Sequence, residues 1–421
     1  MNNFPISSND AIKWIHSFKA NGRRPDLNRL KHYLSFYGNP QHMIRAIHVV
    51  GTNGKGSTTT FIQSIFSESG YNVGTFTSPY ILKFNERIAI NGKPITDKML
   101  LQLVHQIREN ITELETLYGR LTEFELLCLM MFIYFAYYEP MDIVIIEAGI
   151  GGSFDSTNVF NPLVLVCPSI SFDHENTLGH TLTEIAQHKI GALKPKVPLV
   201  FNSSEPSVKN VFYQEADKLS CPIYHLHHSF NITYHKDSFD LNTDTYHFKN
   251  LKIQMIGNHQ MDNAALAIQT ALLLKNDYSK LNEISITLGL KKAKLAGRFE
   301  YLGDNIILDG AHNIDSILKL KTNIDSRFKD YKVHILFSGL KRKPIEEMLH
   351  ILKPYDLAVT TFNFFEAMPL KDYPKNFPKI TDWKTCIDAI QNSDHIYIIT
   401  GSFYFISQVR EYIKKTKILE D

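Results

Sequence analysis

Apolar and polar positions follow two different periods along the chain. Short, almost wholly apolar runs such as Ile47–Val50, Met141–Glu147 and Leu163–Val166 have the length and continuous hydrophobicity of strands buried on both faces. Amphipathic stretches with a helical period lie elsewhere, among them Asp10–Phe18 and Asp26–Tyr37. Strands that alternate with helices in this way predict an α/β fold with a mostly parallel main sheet.

Two segments change this pattern. From Pro222 to Ile256 the helical period is lost, and the chain alternates like a small antiparallel meander. Beyond a predicted hinge at Lys291–Gly297 the α/β pattern restarts, which indicates a smaller Rossmann-like α/β domain. Its predicted strands are Asn305–Leu308, Lys332–Phe337, Asp356–Thr361 and His395–Thr400. We therefore predict an N-terminal domain over residues 1–295 and a C-terminal domain over residues 296–421.

The most apolar stretch is Phe124–Tyr138. It is too short to cross a bilayer and follows an acidic start, so we predict a buried helix. A basic group near the N-terminus, formed by Arg23, Arg24 and Arg29, is interpreted as a solvated face; contact with an acidic substrate is the alternative.

Composition excludes several classes of protein. A formal net charge of +2 over 421 residues gives no electrostatic case for nucleic acid as a partner. The four cysteines are far apart and form no C-x-x-C motif, which favours a reducing cytosol over a zinc site or a disulfide framework. Met1–Pro5 lacks the features of a signal peptide. We expect a cytoplasmic protein with no nucleic-acid or membrane partner.

Chemistry concentrates in the segment Arg45–Phe61, RAIHVVGTNGKGSTTTF. A predicted strand ends at a glycine-rich loop that contains Lys55, and hydroxyl residues that we expect to cap a helix follow. Glycines let backbone N–H groups approach phosphate oxygens, and a lysine and a helix N-terminus add positive charge. The residues predicted to bind phosphate are Gly51, Thr52, Asn53, Gly54, Lys55, Gly56, Ser57 and Thr58.

Two alternatives stay open at this point. The strict P-loop pattern has Ser or Thr directly after the lysine, and here Gly56 intervenes, so an ordinary glycine-rich turn is the alternative to a phosphate site. Glu147 ends a predicted buried strand, where ligands of open α/β sheets bind, and its carboxylate suits Mg²⁺. A surface glutamate before a turn is the alternative reading of Glu147.

The segment GTNGKGS resembles the nucleotide loop of the Mur ligase superfamily. Further stretches resemble one branch, the folylpolyglutamate synthase and dihydrofolate synthase family, in the order in which that family has them. They are Thr77–Ile88, Glu147–Val159, Ser169–Lys194, Gly257–Ala267, Gly297–Glu300, Leu308–Asn313 and Thr400–Tyr404. The resemblance implies an ATP-dependent ligase that uses two Mg²⁺ ions and joins L-glutamate to a pteroate or folate through an acyl phosphate. We expect a monomer.

The resemblance also implies roles for individual residues. Lys55, Lys189, Arg298 and His312 would be catalytic, and Asn263, Arg298 and Asp309 would join the glycine loop in binding the nucleotide. Ser78, Glu147, His174 and Lys189 would hold metal, Lys189 through a carbamate. Pro79, Arg87, Asp155, His312 and Ser402 would contact the pterin compound or glutamate. Without the resemblance, Glu86 and Arg87 would be interpreted as a surface pair in a hairpin.

Several positions depart from the family's pattern. Ser153 stands where the family usually has Arg, and His188 where it has Glu. Leu295-Ala296 replaces a segment with Trp, Ile314 replaces Pro, and Arg342-Lys343-Pro344 replaces Asp-Lys-Asp. These departures indicate a divergent member. They leave two other hypotheses: a ligase for a different carboxylate, or an ATP-binding paralogue that has lost ligation.

Overall fold

The computed structural model describes residues 5–19, 25–390 and 395–416. Arg23 and Arg24 of the predicted basic group, and most of Met1–Pro5, lie outside the described residues. The chain divides into two compact units. Unit 1 comprises the described residues of Met1–Gln254 and Gln260–Ala293, and unit 2 comprises those of Met255–His259 and Lys294–Asp421.

The helices and strands up to the end of unit 1 are numbered here in chain order. The helices are α1 Ser8–His16, α2 Leu27–Phe36, α3 Lys55–Glu68, α4 Asp97–Tyr118, α5 Glu123–Ile133, α6 Glu175–Leu178, α7 Leu182–Ile190, α8 Pro206–Lys218, α9 Asn258–Leu273 and α10 Glu283–Lys292. The strands are β1 Ala46–Val49, β2 Val73–Phe76, β3 Ile88–Ile90, β4 Lys93–Pro94, β5 Ile143–Glu147, β6 Leu165–Cys167, β7 Leu199–Phe201, β8 Ile223–His225, β9 Asn231–Tyr234, β10 Phe239–Asn242 and β11 His247–Leu251.

The main sheet of unit 1 has the strand order β4-β3-β2-β5-β1-β6-β7-β8. From β2 to β8 the neighbours pair in parallel, and β3 and β4 form an antiparallel edge. Every residue of β1 and β5 is buried, which explains their continuous apolar sequence. Val49 is paired with Glu147, so the glycine loop and this carboxylate leave the sheet side by side. The predicted mostly parallel fold is confirmed.

Strands β9, β10 and β11 form a separate three-stranded sheet. Both pairings are antiparallel, as the alternating pattern of this segment predicts. Phe239 and Leu241 of β10 are fully buried and anchor this small sheet on one face.

Helix α5 is buried along almost its whole length and continues as a π-helical segment over Tyr134–Tyr138. Among the described residues, no helix has both the length and the apolar character that crossing a membrane requires. Glu125 in the first turn of α5 is fully buried and accepts two hydrogen bonds from Arg29 Nη2, each 2.8 Å long. The interpretation of Arg29 as part of a solvated face is therefore wrong, because its charge is used in a buried ion pair.

We expect Glu125→Ala to lower the free energy of unfolding by about 3–5 kcal/mol, because it leaves the buried Arg29 charge without its carboxylate. The Glu125 carboxylate also accepts the backbone N–H groups of Asp26 and Thr122, which the substitution would unpair. Urea unfolding followed by circular dichroism measures the change. Glu113→Ala, at an exposed position of α4, is the matched control; equal unfolding midpoints for both variants would contradict the prediction.

Unit 2 contains a second, smaller α/β fold. Its elements are β12 Glu300–Leu302, β13 Ile306–Leu308, α11 Ile314–Arg327, β14 Lys332–Phe337, α12 Ile345–Leu352, β15 Asp356–Val359, α13 Trp383–Asp388, β16 His395–Thr400 and α14 Phe403–Thr416. The sheet order is β12-β13-β16-β14-β15, parallel except for the edge strand β12. The Rossmann-like fold expected from the restarted pattern is confirmed, and β14 and β16 have the predicted bounds.

Candidate functional site

The glycine loop joins β1 to α3 along a backbone course that depends on two glycines. Gly51 and Gly54 have φ values of 139° and 86°, in the region that residues with a Cβ atom rarely adopt. A Cβ atom on Gly54 would also lie 2.6 Å from Oδ1 of Asn263, on α9. Asn263, one of the residues predicted to bind the nucleotide, therefore lies directly against the loop.

The segment that follows β6 fixes the loop in place. The Thr52 N–H group donates to the Ser169 carbonyl at 2.8 Å, and Thr52 Oγ1 donates to the Ser171 carbonyl at 3.0 Å. The Asn53 N–H group donates to Ser169 Oγ at 3.0 Å. Because these contacts order the loop in advance, a ligand would not have to supply that ordering.

Two lysine side chains meet at the carbonyl oxygen of Gly51. Lys55 Nζ donates to this oxygen at 3.2 Å, and Lys189 Nζ, from α7, donates to it at 2.8 Å. Burial lowers the pKa of Lys189 to about 7, and the charge of Lys55 acts in the same direction. An anion beside the loop would relieve this repulsion between two cationic groups.

The hydroxyl residues after Lys55 do not cap the helix as predicted. Helix α3 begins at Lys55 with Gly54 as its N-cap, so these hydroxyls belong to its first turns. Within the described part of the chain, Ser57 Oγ, Thr58 Oγ1 and Thr59 Oγ1 are buried without a hydrogen-bond partner. Unpaired buried hydroxyls are costly. The first N–H groups of a helix also lack intrahelical partners, so this site suits phosphate oxygens and a phosphate-bound cation.

The predicted metal ligands lie at the carboxyl edge of the same sheet. The Ser78 N–H group, just beyond β2, donates to Glu147 Oε2 at 3.2 Å, and Glu147 is buried. The alternative reading of Glu147 as a surface residue is therefore wrong. His174 precedes α6 next to Asp173, whose charge acts on Lys189. In the described ranges, no three His, Cys, Asp or Glu side chains are grouped as metal ligands.

The residues predicted to contact the pterin compound lie on two loops. Pro79 begins one loop, in which the Arg87 guanidinium stacks 5.3 Å from the Tyr80 ring centroid. The Glu86 carboxylate accepts backbone N–H groups of the same loop, so it acts as a local cap. Asp155 lies on the other loop. Burial raises the pKa of the nearby Cys128 thiol; the charge of Asp155 adds to this rise, and the charge of Arg87 opposes it.

Asp155 is almost completely buried, and its carboxylate is held by its own loop. Oδ2 accepts the Ile150 N–H at 2.7 Å, and Oδ1 accepts the Thr157 N–H at 2.9 Å. Thr157 in turn lies 2.8 Å from Nε2 of His48, a buried histidine on β1. Neither His48 nor Thr157 is among the residues predicted from the sequence, although a histidine inside the apolar strand β1 was a signal for His48.

The remaining predicted residues lie together in unit 2. The Arg298 guanidinium carbon lies 4.4 Å from the centroid of the Phe403 ring. The centroids of the His312 and Phe403 rings are 5.3 Å apart. Burial raises the pKa of Asp309 to about 6, while the charge of Arg298 acts against this rise. Ser402 is buried immediately after the β16 strand end. These four residues thus share the carboxyl edge of the unit 2 sheet.

His259, near the start of α9, belongs to unit 2 and is half-buried. Burial lowers its pKa to about 3. Helix α9 begins at Asn258, and Asp262 therefore lies inside it. The Asp262 carboxylate accepts the Tyr234 hydroxyl.

A strand, a preorganised glycine loop, two lysines and a helix N-terminus define a nucleotide-binding α/β protein. Comparisons with known proteins agree. Residues 49–271 match the Mur ligase middle domain. The chain is 39% identical to the dihydrofolate synthase/folylpolyglutamate synthase of Bacillus subtilis (strain 168), over 96% of this chain and 99% of that protein. It is 32% identical to the folylpolyglutamate synthase of Lacticaseibacillus casei, over 96% and 97%.

Solved structures give the same result. The apo form of L. casei FPGS has a TM-score of 0.86 at 30% identity and covers 97% of this chain and 100% of that one. An FPGS–AMPPCP–folate complex has a TM-score of 0.87 at 30% identity, with the same coverage. The chain belongs to the folylpolyglutamate synthase/dihydrofolate synthase family and is an ATP-dependent ligase. The resemblance noted in the sequence is confirmed; the roles of individual residues stay predictions.

Proposed function

We propose that this ligase joins L-glutamate to the carboxylate of a pteroate or folate at the expense of ATP. The observation that carries the proposal is the pair of lysines on the Gly51 carbonyl, beside buried hydroxyls for which the described residues provide no hydrogen-bond partner. The names of relatives cover both dihydrofolate synthase and folylpolyglutamate synthase, and one related structure holds AMPPCP and folate. These names support a pteroate or folate as the acceptor.

The reaction has two steps. A carboxylate oxygen of the acceptor attacks the γ-phosphorus of ATP, the bond to ADP breaks, and an acyl phosphate forms. The amino group of L-glutamate then attacks the acyl carbon; phosphate leaves, an amide forms, and the amine loses a proton. Both steps depend on positioning and on neutralising phosphate charge. Lys55 and the N–H groups at the start of α3 would do this for the triphosphate.

The residues present fit Mg²⁺, a cation that prefers oxygen ligands and keeps several waters. We assign Ser78 and Glu147 to one ion. The Ser57 hydroxyl, which has no hydrogen-bond partner among the described residues, lies in the first turn of α3, directly after the glycine loop. We assign His174 and a carbamate on Lys189 to a second ion. Bound Mg²⁺ would supply charge neutralisation at the phosphates. A carbamate forms when a neutral amine attacks CO₂ and releases a proton, and burial of Lys189 favours its neutral form.

The other residues would bind and orient the substrates. Pro79, Arg87 and Asp155 would contact the pterin compound, and Asn263 would lie on the adenine side of the nucleotide. In unit 2, Arg298 and Asp309 are assigned to the nucleotide, and His312 and Ser402 to the incoming glutamate. Arg298 suits a phosphate because its charge is permanent and its planar fork matches phosphate oxygens.

The proposal predicts glutamate-dependent phosphate release. Purified protein with Mg²⁺–ATP and dihydropteroate, or a reduced folate, should release phosphate only when L-glutamate is added, and mass spectrometry should show one more glutamyl residue in the product. L-aspartate in place of L-glutamate is the matched control. Phosphate release without glutamate incorporation would favour the paralogue that has lost ligation. Inactivity with every pteroate and folate would favour a different carboxylate.

A further inference from the structure

A buried polar chain connects strand β1 to the loop that carries Asp155. His48 is 1% exposed, and its Nε2 lies 2.8 Å from Thr157 Oγ1. Thr157 Oγ1 lies 2.5 Å from Asp155 Oδ1. The Asp155 carboxylate accepts hydrogen bonds, so the single hydroxyl proton of Thr157 points to it. Thr157 must then accept from His48, which places the ring proton on Nε2.

The protonation states of His48 and Asp155 are compatible with hydrogen bonds that run from His48 through Thr157 to Asp155. Burial lowers the pKa of His48 to about 3, and the charge of Lys194 acts in the same direction, so the ring is neutral at physiological pH. A neutral imidazole has one N–H, and the hydrogen-bond chain uses it. Burial raises the pKa of Asp155, whereas its bonds from Thr157 and Ile150 lower it and so favour the carboxylate.

These hydrogen bonds determine which oxygen of the Asp155 carboxylate can accept a further hydrogen bond. Within the part of the chain that the structure describes, Oδ1 accepts two bonds, from the N–H and the hydroxyl of Thr157, while Oδ2 accepts one, from the Ile150 N–H. A carboxylate has roughly four acceptor positions, two on each oxygen. Oδ2 therefore keeps one acceptor position, and the bonds on Oδ1 hold the plane in which that position lies.

We infer that His48 and Thr157 are positioning residues for the acceptor substrate, because they orient Asp155 toward N–H donors of a heteroaromatic ring such as a pterin. This inference rests on the proposed function, which assigns Asp155 to that ring. It assigns His48, three residues before Gly51, to acceptor binding and not to ATP binding. The competing explanation is that His48 only fills space, since its ring packs 5.2 Å from that of Phe160.

Two substitutions of His48 separate these explanations. His48→Gln keeps an N–H donor near the position of Nε2 and loses the ring, whereas His48→Leu loses both and fills a similar volume. Thr157→Ser and Thr157→Val form the matching pair, with and without the hydroxyl. The assay is glutamate-dependent phosphate release, with the acceptor and ATP varied separately. Calorimetric titration with Mg²⁺–AMPPCP reports on the nucleotide site of each variant.

We expect His48→Leu and Thr157→Val each to raise the KM for the acceptor about tenfold, the effect of one hydrogen bond to a charged group. The KM for ATP and the affinity for AMPPCP should stay unchanged. His48→Gln and Thr157→Ser should restore the acceptor KM to within about twofold of the original. The double variant His48→Leu/Thr157→Val should be no worse than either single variant, because both interrupt one chain.

Other results would overturn the inference. Equal increases for His48→Gln and His48→Leu, or parallel increases in the KM for ATP and for the acceptor, would indicate a space-filling role. If His48→Leu does not fold, the comparison of Thr157→Val with Thr157→Ser decides. Unchanged acceptor KM in every variant of an active ligase would refute the inference alone, whereas absence of glutamate-dependent phosphate release in the original protein would refute the proposed function with it.

Discussion

Replacing Lys55 by alanine is expected to reduce kcat by about 10³-fold, because a charge that contacts transferring phosphates interacts more strongly in the transition state than in the ground state. Lys55 Nζ already lies at the glycine loop, held by the carbonyls of Gly51 and Thr52 at 3.2 Å each. The substitution removes this charge without removing the backbone N–H groups of α3. Phosphate release at saturating substrates measures the effect.

Lys98→Ala is the control for Lys55→Ala, because Lys98 is exposed on α4. It should leave kcat within about twofold of the original value, as surface substitutions usually have small effects. Near-normal turnover of Lys55→Ala would remove the glycine loop from the mechanism.

Replacing Lys189 by methionine is expected to reduce kcat by about 10²–10³-fold, the scale of losing one electrostatic stabiliser of the transition state. The proposed carbamate makes a sharper prediction, because Lys189→Arg keeps a positive charge but cannot form a carbamate. Lys189→Arg should therefore be as slow as Lys189→Met. Acetate or formate should partly restore Lys189→Ala, since a small carboxylate can occupy the space of the carbamate group.

The activities of Lys189→Arg and Lys189→Met lead to different conclusions. If Lys189→Arg retains most of the activity, positive charge is sufficient and the carbamate is refuted. If Lys189→Met also stays active, turnover needs neither the charge of Lys189 nor its 2.8 Å hydrogen bond to the Gly51 carbonyl, because methionine supplies neither.

The parts of the fold that depend on local sequence were predictable. Strands β1 and β5 are short, mostly apolar runs, and burial on both faces of a parallel sheet favours that pattern. Strands β14 and β16 are apolar and buried mainly in their C-terminal halves. The glycine loop was predictable for a related reason, since the positive φ values of Gly51 and Gly54 demand glycine whatever the surrounding structure.

Contacts between distant segments were not predictable from these patterns. Arg29 and Glu125 are 96 residues apart, and His48 and Thr157 are 109 residues apart, so no local period records either pair. The prediction that hydroxyl residues cap α3 was wrong for another reason. Ser57 and Thr58 have the chemistry of N-caps, but the left-handed Gly54 starts the helix earlier and leaves their hydroxyls inside it.

One departure from the family's pattern acquires a structural meaning. Ser153 stands where the family usually has Arg, and both its N–H and its Oγ donate to the His188 carbonyl, at 2.7 and 3.0 Å. A Cβ atom on Gly191 would lie 1.9 Å from Ser153 Oγ, so the two segments are in close contact. The serine thus ties the Asp155 loop to the end of α7, the helix that carries Lys189.

We expect the glycine loop of unit 1 to bind the triphosphate through Lys55. Calorimetric titration of the purified protein with Mg²⁺–AMPPCP measures this binding alone, because no acceptor, glutamate or turnover is involved. We predict saturable binding by the original protein and by Lys98→Ala, with an affinity at least about tenfold lower for Lys55→Ala, the scale of one charge-assisted contact. Equal affinity of Lys55→Ala and the original protein, or no binding by either, would contradict the account.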